Sequence, residues 1–213
     1  MRSTGGDWFR GPAWDDRARV DFETRLARAR PHNRQQYLLI KGQGLRAAGH
    51  VAAARELLER AAGEPGGYLH DTVSAWEALA DMAVERGDRD TAEQLYRRIL
   101  HEQPDGSGTT GNVDLALAEL LLDTGRESDR REASALLGAW MDRAGTKFDS
   151  QLFRWQLDRI RLAAADGDRE TVRRAALAAL ALAERGPQLA RHPDVGVVVT
   201  DPATLRRLRE LAG

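Results

Sequence analysis

The chain has 213 residues, of which 42% are hydrophobic, so it carries enough apolar material for a substantial core in one or two domains. Its 32 Lys and Arg nearly balance its 33 Asp and Glu, and this argues against a dedicated nucleic-acid or membrane-surface binder, because both normally carry a basic excess. The lack of cysteine excludes disulfides, thiol catalysis and cysteine-based metal sites. No stretch resembles a signal peptide or is apolar over the length of a bilayer, so we expect a cytoplasmic protein without membrane contact.

The N-terminal segment, residues 1–32, is predicted to cover the open end of the helices that follow. Its aromatic stretch from Trp8 to Trp14 is interrupted by Gly and Pro, so we expect it to be irregular but packed. Asp15 or Asp16 can cap the helix that comes next. This helix has an apolar residue at every fourth position, namely Trp14, Ala18, Phe22 and Leu26.

The stretch from Trp76 to Pro104 has the most specific pattern in the chain. Small residues at Ala80 and Ala92 would let two antiparallel helices approach closely, and Gly87 can take the positive φ that ends a helix. Bulky side chains fill the space beside that contact, and proline closes the unit. The pattern as a whole consists of Trp76, Leu79, Ala80, Gly87, Ala92, Tyr96 and Pro104.

The same pattern recurs at a spacing of 38 residues. Three turn glycines and three small helix residues each keep this spacing, and apolar periodicity alone would not place glycines in register. In the first unit we expect Asn33 to cap the first helix. The glycines are Gly49, Gly87 and Gly125, and the small residues are Gly42, Ala80 and Ala118.

The later units follow the pattern with changes. In the third, the charged run from Glu127 to Arg131 is interpreted as an insertion that displaces the second helix. The fourth has its turn at Gly167. Beyond them, residues 192–200 are rich in β-branched side chains and are expected to be extended, and Asp201 with Pro202 begins a final short helix. The buried positions expected on the displaced helix and on the fourth unit are Ala133, Leu137, Trp140, Trp155, Ile160, Val172, Ala176 and Ala179.

These residues resemble the tetratricopeptide repeat over Asn33 to Gly186. The resemblance implies an all-α, right-handed α-solenoid of about four helical hairpins between an N-terminal capping helix and a C-terminal extended segment with a short capping helix. The opening aromatic stretch is also similar to a group of bacterial tetratricopeptide proteins, which implies no activity. The expected hairpins are 33–66, 71–104, 112–144 and 149–186, and the C-terminal part is 187–213.

In the tetratricopeptide family the first helices of successive repeats line a concave groove that receives a peptide or a partner's helix. Here that groove would be acidic at its middle with arginine at both ends, so the resemblance implies a non-catalytic scaffold or adaptor for a protein or peptide with a basic and apolar centre. Recognition of an acidic C-terminal tail is not expected, because Glu77 and Asp81 stand where lysine and asparagine would be needed. The polar candidates are Gln43, Arg46, Glu77, Asp81, Glu85, Glu119, Asp123, Arg154 and Arg161, and the apolar ones are Leu39, Val84, Leu115, Leu122 and Leu157.

One motif keeps a second function open. The run from Gly106 to Gly111 has the spacing G-x-G-x-x-G, but it follows a helix rather than a strand, so it is not a dinucleotide fingerprint. Its backbone amides could still hold an anion at a helix N-terminus. The alternative is therefore a ligand-sensing regulatory subunit that binds a small anion or acts with a nucleic-acid-bound partner.

No pattern indicates catalysis or a cofactor. The five histidines are scattered, and no serine, histidine and acid arrangement can be nominated, so we expect neither a metal site nor an enzyme. The basic stretch from Arg25 to Arg34 lacks interleaved aromatic residues and is interpreted as a solvated face, without direct contact to nucleic acid.

Overall fold

The structure, a computed structural model, describes residues 7–213, and every regular element in that range is an α-helix. The all-helical prediction is therefore confirmed for these residues, whereas residues 1–6 of the predicted N-terminal segment lie outside them. No helix in the described range has both the length and the apolar character that crossing a bilayer requires. The helices are α1 (Asp16–Ala27), α2 (Pro31–Ala47), α3 (Val51–Ala62), α4 (Leu69–Glu85), α5 (Arg89–Glu102), α6 (Val113–Asp123), α7 (Glu127–Asp142), α8 (Asp149–Ala165), α9 (Arg169–Ala183) and α10 (Pro202–Ala212).

The chain divides after Val113, in the first turn of α6, into two compact units. In the first unit α2 packs against α3 and α4, and α4 packs against both α3 and α5. In the second unit α8 packs against α7 and α9, and α9 also packs against α10. Short turns join α2 to α3, α4 to α5 and α8 to α9, so each of these pairs is an antiparallel helical hairpin.

The predicted turn glycines are confirmed as helix terminators. Gly49, Gly87, Gly125 and Gly167 each lie two residues beyond the end of a helix and have φ between 71° and 82°. After three of them the next amide donates to a carbonyl five residues earlier, at 2.8–2.9 Å, which closes the helix end. Only glycine takes this left-handed conformation without a steric penalty, and this explains the regular spacing.

The small residues are buried, as expected for positions where helices touch. Ala80, Ala92 and Ala118 are completely buried. At Gly42 an added Cβ would lie 2.9 Å from the Cγ atom of Leu58, so α2 and α3 approach too closely for a side chain at this position. Gly42, Ala80 and Ala118, which are spaced by 38 residues, thus all lie at buried positions of their helices, and at Gly42 the approach of the neighbouring helix excludes a side chain.

The aromatic segment before α1 is irregular and packed, as predicted. Trp8 and Phe9 lie against Phe22 of α1 and Tyr37 of α2, with ring centroids 4.6–5.6 Å apart. Phe9 and Phe22 are buried in the core of the first unit together with residues of α2, α3 and α4. The segment therefore covers one end of that core.

A buried lysine fixes this segment to α2. The Nζ atom of Lys41 donates to the carbonyl oxygens of Gly11 at 2.5 Å and Ala13 at 3.0 Å. It also lies 5.3 Å from the centre of the Trp14 ring, within the range of a cation–π interaction. Burial lowers the pKa of Lys41, because removing an ammonium group from water disfavours its charged form.

The N-cap residues of α1 and α2 test two predictions about where these helices begin. The expected cap at Asn33 is wrong, because α2 already begins at Pro31 after Arg30. Proline has the helical φ built in and needs no partner for an amide hydrogen, so it suits the first helical position. At α1 the cap is Asp15, whose Oδ1 atom accepts from the Ala18 amide at 2.8 Å.

The charged run Glu127–Arg131, interpreted as an insertion that displaces the second helix, does not displace the start of that helix, although the buried positions predicted on it are confirmed. The run forms the first turn of α7, which begins 38 residues after the start of α5 at Arg89 and so keeps the repeat spacing. The first buried alanine, Ala133, lies six residues after the start of α7, whereas Ala92 lies three residues after the start of α5. Three residues are nearly one helical turn, so the buried face keeps nearly the same direction. Its buried residues are Asp129, Ala133, Leu137 and Trp140.

The C-terminal part combines an irregular segment with a helix. Residues 187–201 form no strand, and the stretch expected to be extended contains a turn at Pro193–Gly196. The predicted final helix is confirmed as α10, where the Oδ1 atom of Asp201 accepts from the amides of Ala203 at 2.8 Å and Thr204 at 3.0 Å. Leu208 of α10 is buried in the core of the second unit with residues of α8 and α9.

Candidate functional site

An open cleft of about 450 Å³ lies between α2 and α4 in the first unit. The first residue of α3 and the loop between α5 and α6 complete its lining. We call it the α2–α4 cleft. Half of its lining consists of predicted groove residues, which the fold brings together from two helices: Gln43, Arg46, Glu77, Asp81 and Glu85. The rest of the lining is Ala47, Val51, Ser74, Ala78 and Thr110.

Arg46 connects the two helices across this cleft. From α2 it reaches two carboxylates that lie one turn apart on α4, at 2.6 Å from Glu85 and 3.4 Å from Asp81. The other oxygen of Asp81 accepts a hydrogen bond from the Tyr96 hydroxyl of α5 at 2.7 Å. Asp81 is therefore held from two sides, whereas the Glu85 side chain is 59% exposed and open to exchange with solvent or a ligand.

Glu77 holds the loop between α5 and α6. It is only 5% exposed, and its carboxylate accepts from the Thr110 amide at 2.8 Å and from the Thr110 hydroxyl. Thr110 belongs to the Gly106–Gly111 run, whose backbone amides were considered above as a binding site for a small anion. The amide and the hydroxyl of Thr110 both donate to a carboxylate of the protein itself.

The α2–α4 cleft has an acidic lining with apolar parts. Its lining contains three carboxylates and one guanidinium, a formal charge of minus two. Val51 and two alanines add apolar surface, and the Val51 side chain is 57% exposed. A concave surface that combines negative charge with apolar area attracts a ligand that is both cationic and apolar. Within residues 7–213 no group of acidic or histidine side chains is arranged to hold a metal ion.

In the second unit the predicted groove residues of α6 and α8 pair with each other. Arg154 makes a two-pronged contact with Glu119, at 2.9 and 2.8 Å. Arg161, about two turns beyond Arg154 on α8, lies 2.5 Å from Asp123 of α6. The side chains of these residues are between one third and one half exposed, so the four charges form two ion pairs at the surface between the helices.

Asp158 is an ionisable residue of this region that was not among the predicted groove residues. It lies on the same face of α8 as Arg154 and Arg161, and its side chain is only 2% exposed. Burial, together with the nearby negative charge of Glu119, raises the pKa of Asp158 to about 8, although Arg161, at 3.8 Å, acts in the opposite direction. The spacing of four and three residues along α8 is the sequence signal that would have placed it here.

Comparison with known proteins adds no family. No protein-family model matches this chain. No curated protein matches it significantly either. The similarity to tetratricopeptide repeats thus stays a prediction from the repeated residues, and the clefts themselves provide the basis for proposing a function.

The apolar groove candidates divide between core and surface. Leu39, Leu115 and Leu122 are buried, so they belong to the core rather than to a binding surface. Val84 is exposed in the last turn of α4, and Leu157 lines a separate cleft between α8 and α10. Helical spacing could not separate these roles, because helices packed on both sides carry apolar residues around most of their circumference.

Proposed function

We propose that this protein is a non-catalytic cytoplasmic scaffold that binds a segment of another protein, with a right-handed, tetratricopeptide-like α-solenoid of four helical hairpins as its fold. The repeated glycine turns, the close helix contact at Gly42 and the burial of Ala80 and Ala118 support this architecture. Packing of α2 against both α3 and α4 is the arrangement that stacked hairpins require.

The observation that carries the proposal is the acidic, partly apolar lining of the α2–α4 cleft. A peptide with lysine or arginine next to aliphatic residues complements it, since a cation can reach Glu85 and Asp81 while an aliphatic side chain contacts Val51. Electrostatic complementarity of this kind sets the choice and orientation of a ligand more than its affinity. The proposed ligand is therefore a basic and apolar peptide segment.

Two short fluorescent peptides test this proposal. They share the same leucines, and the positions between the leucines are lysine in one peptide and glutamate in the other. We expect fluorescence anisotropy to show binding of the lysine peptide and not of the glutamate peptide. Glu85→Gln should weaken binding of the lysine peptide about two- to fivefold, which is the range that exposed ion pairs contribute.

Glu102→Gln is the matched control, because Glu102 is an exposed carboxylate of the same unit outside the cleft. It should leave the affinity unchanged. Equal binding of the two peptides, or equal effects of the two substitutions, would contradict the proposed site. Circular dichroism of both variants verifies that the helices are intact.

A further inference from the structure

A second cleft, of about 290 Å³, lies between α8 and α10 in the second unit. We call it the α8–α10 cleft. Its volume is close to the lower end of the range typical of small-ligand pockets, about 300–1,000 Å³. Its aliphatic lining consists of Leu157, Ile160, Leu208 and Leu211, and its polar lining consists of Arg161, Thr204 and Arg207.

The charge of this cleft is the opposite of that in the first unit. No carboxylate lines it, and two guanidiniums stand at its polar side. Arg161 is already paired with Asp123. Arg207 is exposed and makes no ion pair within residues 7–213. The cleft therefore offers one uncompensated cation next to an aliphatic surface.

We propose that the α8–α10 cleft binds a small amphipathic carboxylate with an aliphatic body, of about the size of octanoate. The aliphatic body lies against Leu157, Ile160 and Leu211, and the carboxylate faces Arg207. Burying methylene groups provides the affinity, and the guanidinium selects an anionic head group over a neutral or cationic one. This site shares no residue with the α2–α4 cleft, so the inference is independent of the peptide-binding proposal.

The test is a titration of the full chain with octanoate, followed by NMR of its leucine and isoleucine methyl groups. Octanoate should shift the methyl signals of Leu157, Ile160 and Leu211 in a saturable manner. Octylamine, which has the same chain length and the opposite charge, should not. Equal shifts with both compounds, or no saturable shift with octanoate, would overturn the proposal.

Substitutions on α10 locate the site. Arg207→Gln should weaken octanoate binding about two- to fivefold. Arg206→Gln removes the same charge from an exposed neighbour that does not line the cleft, and it should have no effect. Thr204→Phe should fill the cleft and abolish binding. Retention of octanoate binding by Thr204→Phe, or the same loss in Arg206→Gln as in Arg207→Gln, would also overturn the proposal.

Discussion

Asp158 places a carboxyl group inside the second unit, with charged neighbours on two helices. Glu119 and Asp123 face it from α6, and Arg154 and Arg161 lie on its own helix. Its Oδ2 atom is buried and has no hydrogen-bond partner among the described residues. Because burial raises the pKa of Asp158, its carboxyl group stays protonated in the native protein between pH 3.8 and about 8, where the same group in the unfolded chain is ionised.

This difference makes stability depend on pH in a definite direction. The pKa of Asp158 rises from 3.8 in the unfolded chain to about 8 in the native protein, so the group lowers the free energy of unfolding as pH rises through that window. Asp158→Asn removes the penalty and should stabilise the protein by roughly 2–4 kcal/mol near pH 8. Denaturant unfolding at about pH 5 and pH 8 measures the effect, which should be smaller at the lower pH. Asp142→Asn, at an exposed position, is the control, and an equal gain at both pH values would contradict the prediction.

Lys41 gives a second prediction for a single residue. Methionine at this position keeps an unbranched side chain but cannot donate to the carbonyls of Gly11 and Ala13. Lys41→Met should therefore loosen the aromatic segment and accelerate tryptic cleavage after Arg10. Lys147→Met, at the only other lysine of the chain, should leave that cleavage rate unchanged. Unaltered cleavage in Lys41→Met would show that aromatic packing alone holds the segment.

At the scale of helices, steric requirements explain which features could be predicted from the sequence. Gly87, Ala80 and Ala92 are identifiable because a left-handed turn and a close helix contact each admit few residue types. The starts of α2 and α7 were predicted wrongly, since Pro31 and Glu127 are both compatible with lying outside or inside a helix. The amino-acid composition near Pro31 and Glu127 does not determine where α2 and α7 begin, because helix boundaries also depend on how the adjacent turns pack.

The contact between α4 and α5 gives a prediction at this scale. Ala92 is fully buried, so Ala92→Trp must push α5 away or distort its neighbours. We expect the free energy of unfolding to fall by about 1–3 kcal/mol or more, as measured with chemical denaturant. Gln94→Trp places the same ring on the exposed side of α5 and should have little effect. If both variants unfold at the same denaturant concentration as the parent, the helix contact is not where the repeat pattern puts it.

At the scale of the whole molecule, each unit has its own cleft, and the sequence predicted only part of this arrangement. It placed Arg46, Glu77, Asp81 and Glu85 on suitable faces, because helical spacing is a local property. It did not predict that Arg46 would pair with two of these carboxylates or that Glu77 would hold a loop. Such partners come from segments more than thirty residues away, and their positions depend on how the helices cross.

The two clefts should accept their ligands without competing. They share no lining residue and attract opposite charges, so the lysine peptide should not displace octanoate. Methyl NMR of an octanoate-saturated sample, recorded with and without the peptide, measures this. Loss of the octanoate shifts at Leu157 and Leu211 on peptide addition would indicate that both probes use one site.

The ion pairs of Arg46 have a consequence for the thermodynamics of recognition. A lysine or arginine that approaches Glu85 must displace a guanidinium already present at 2.6 Å, so binding replaces one ion pair by another. Added salt screens the initial and final pairs alike, and most of its effect cancels. Exchange of ion pairs at Glu85 should therefore add little to the salt dependence, and the fall in affinity with ionic strength should come mainly from the formal charge of minus two in the rest of the cleft lining.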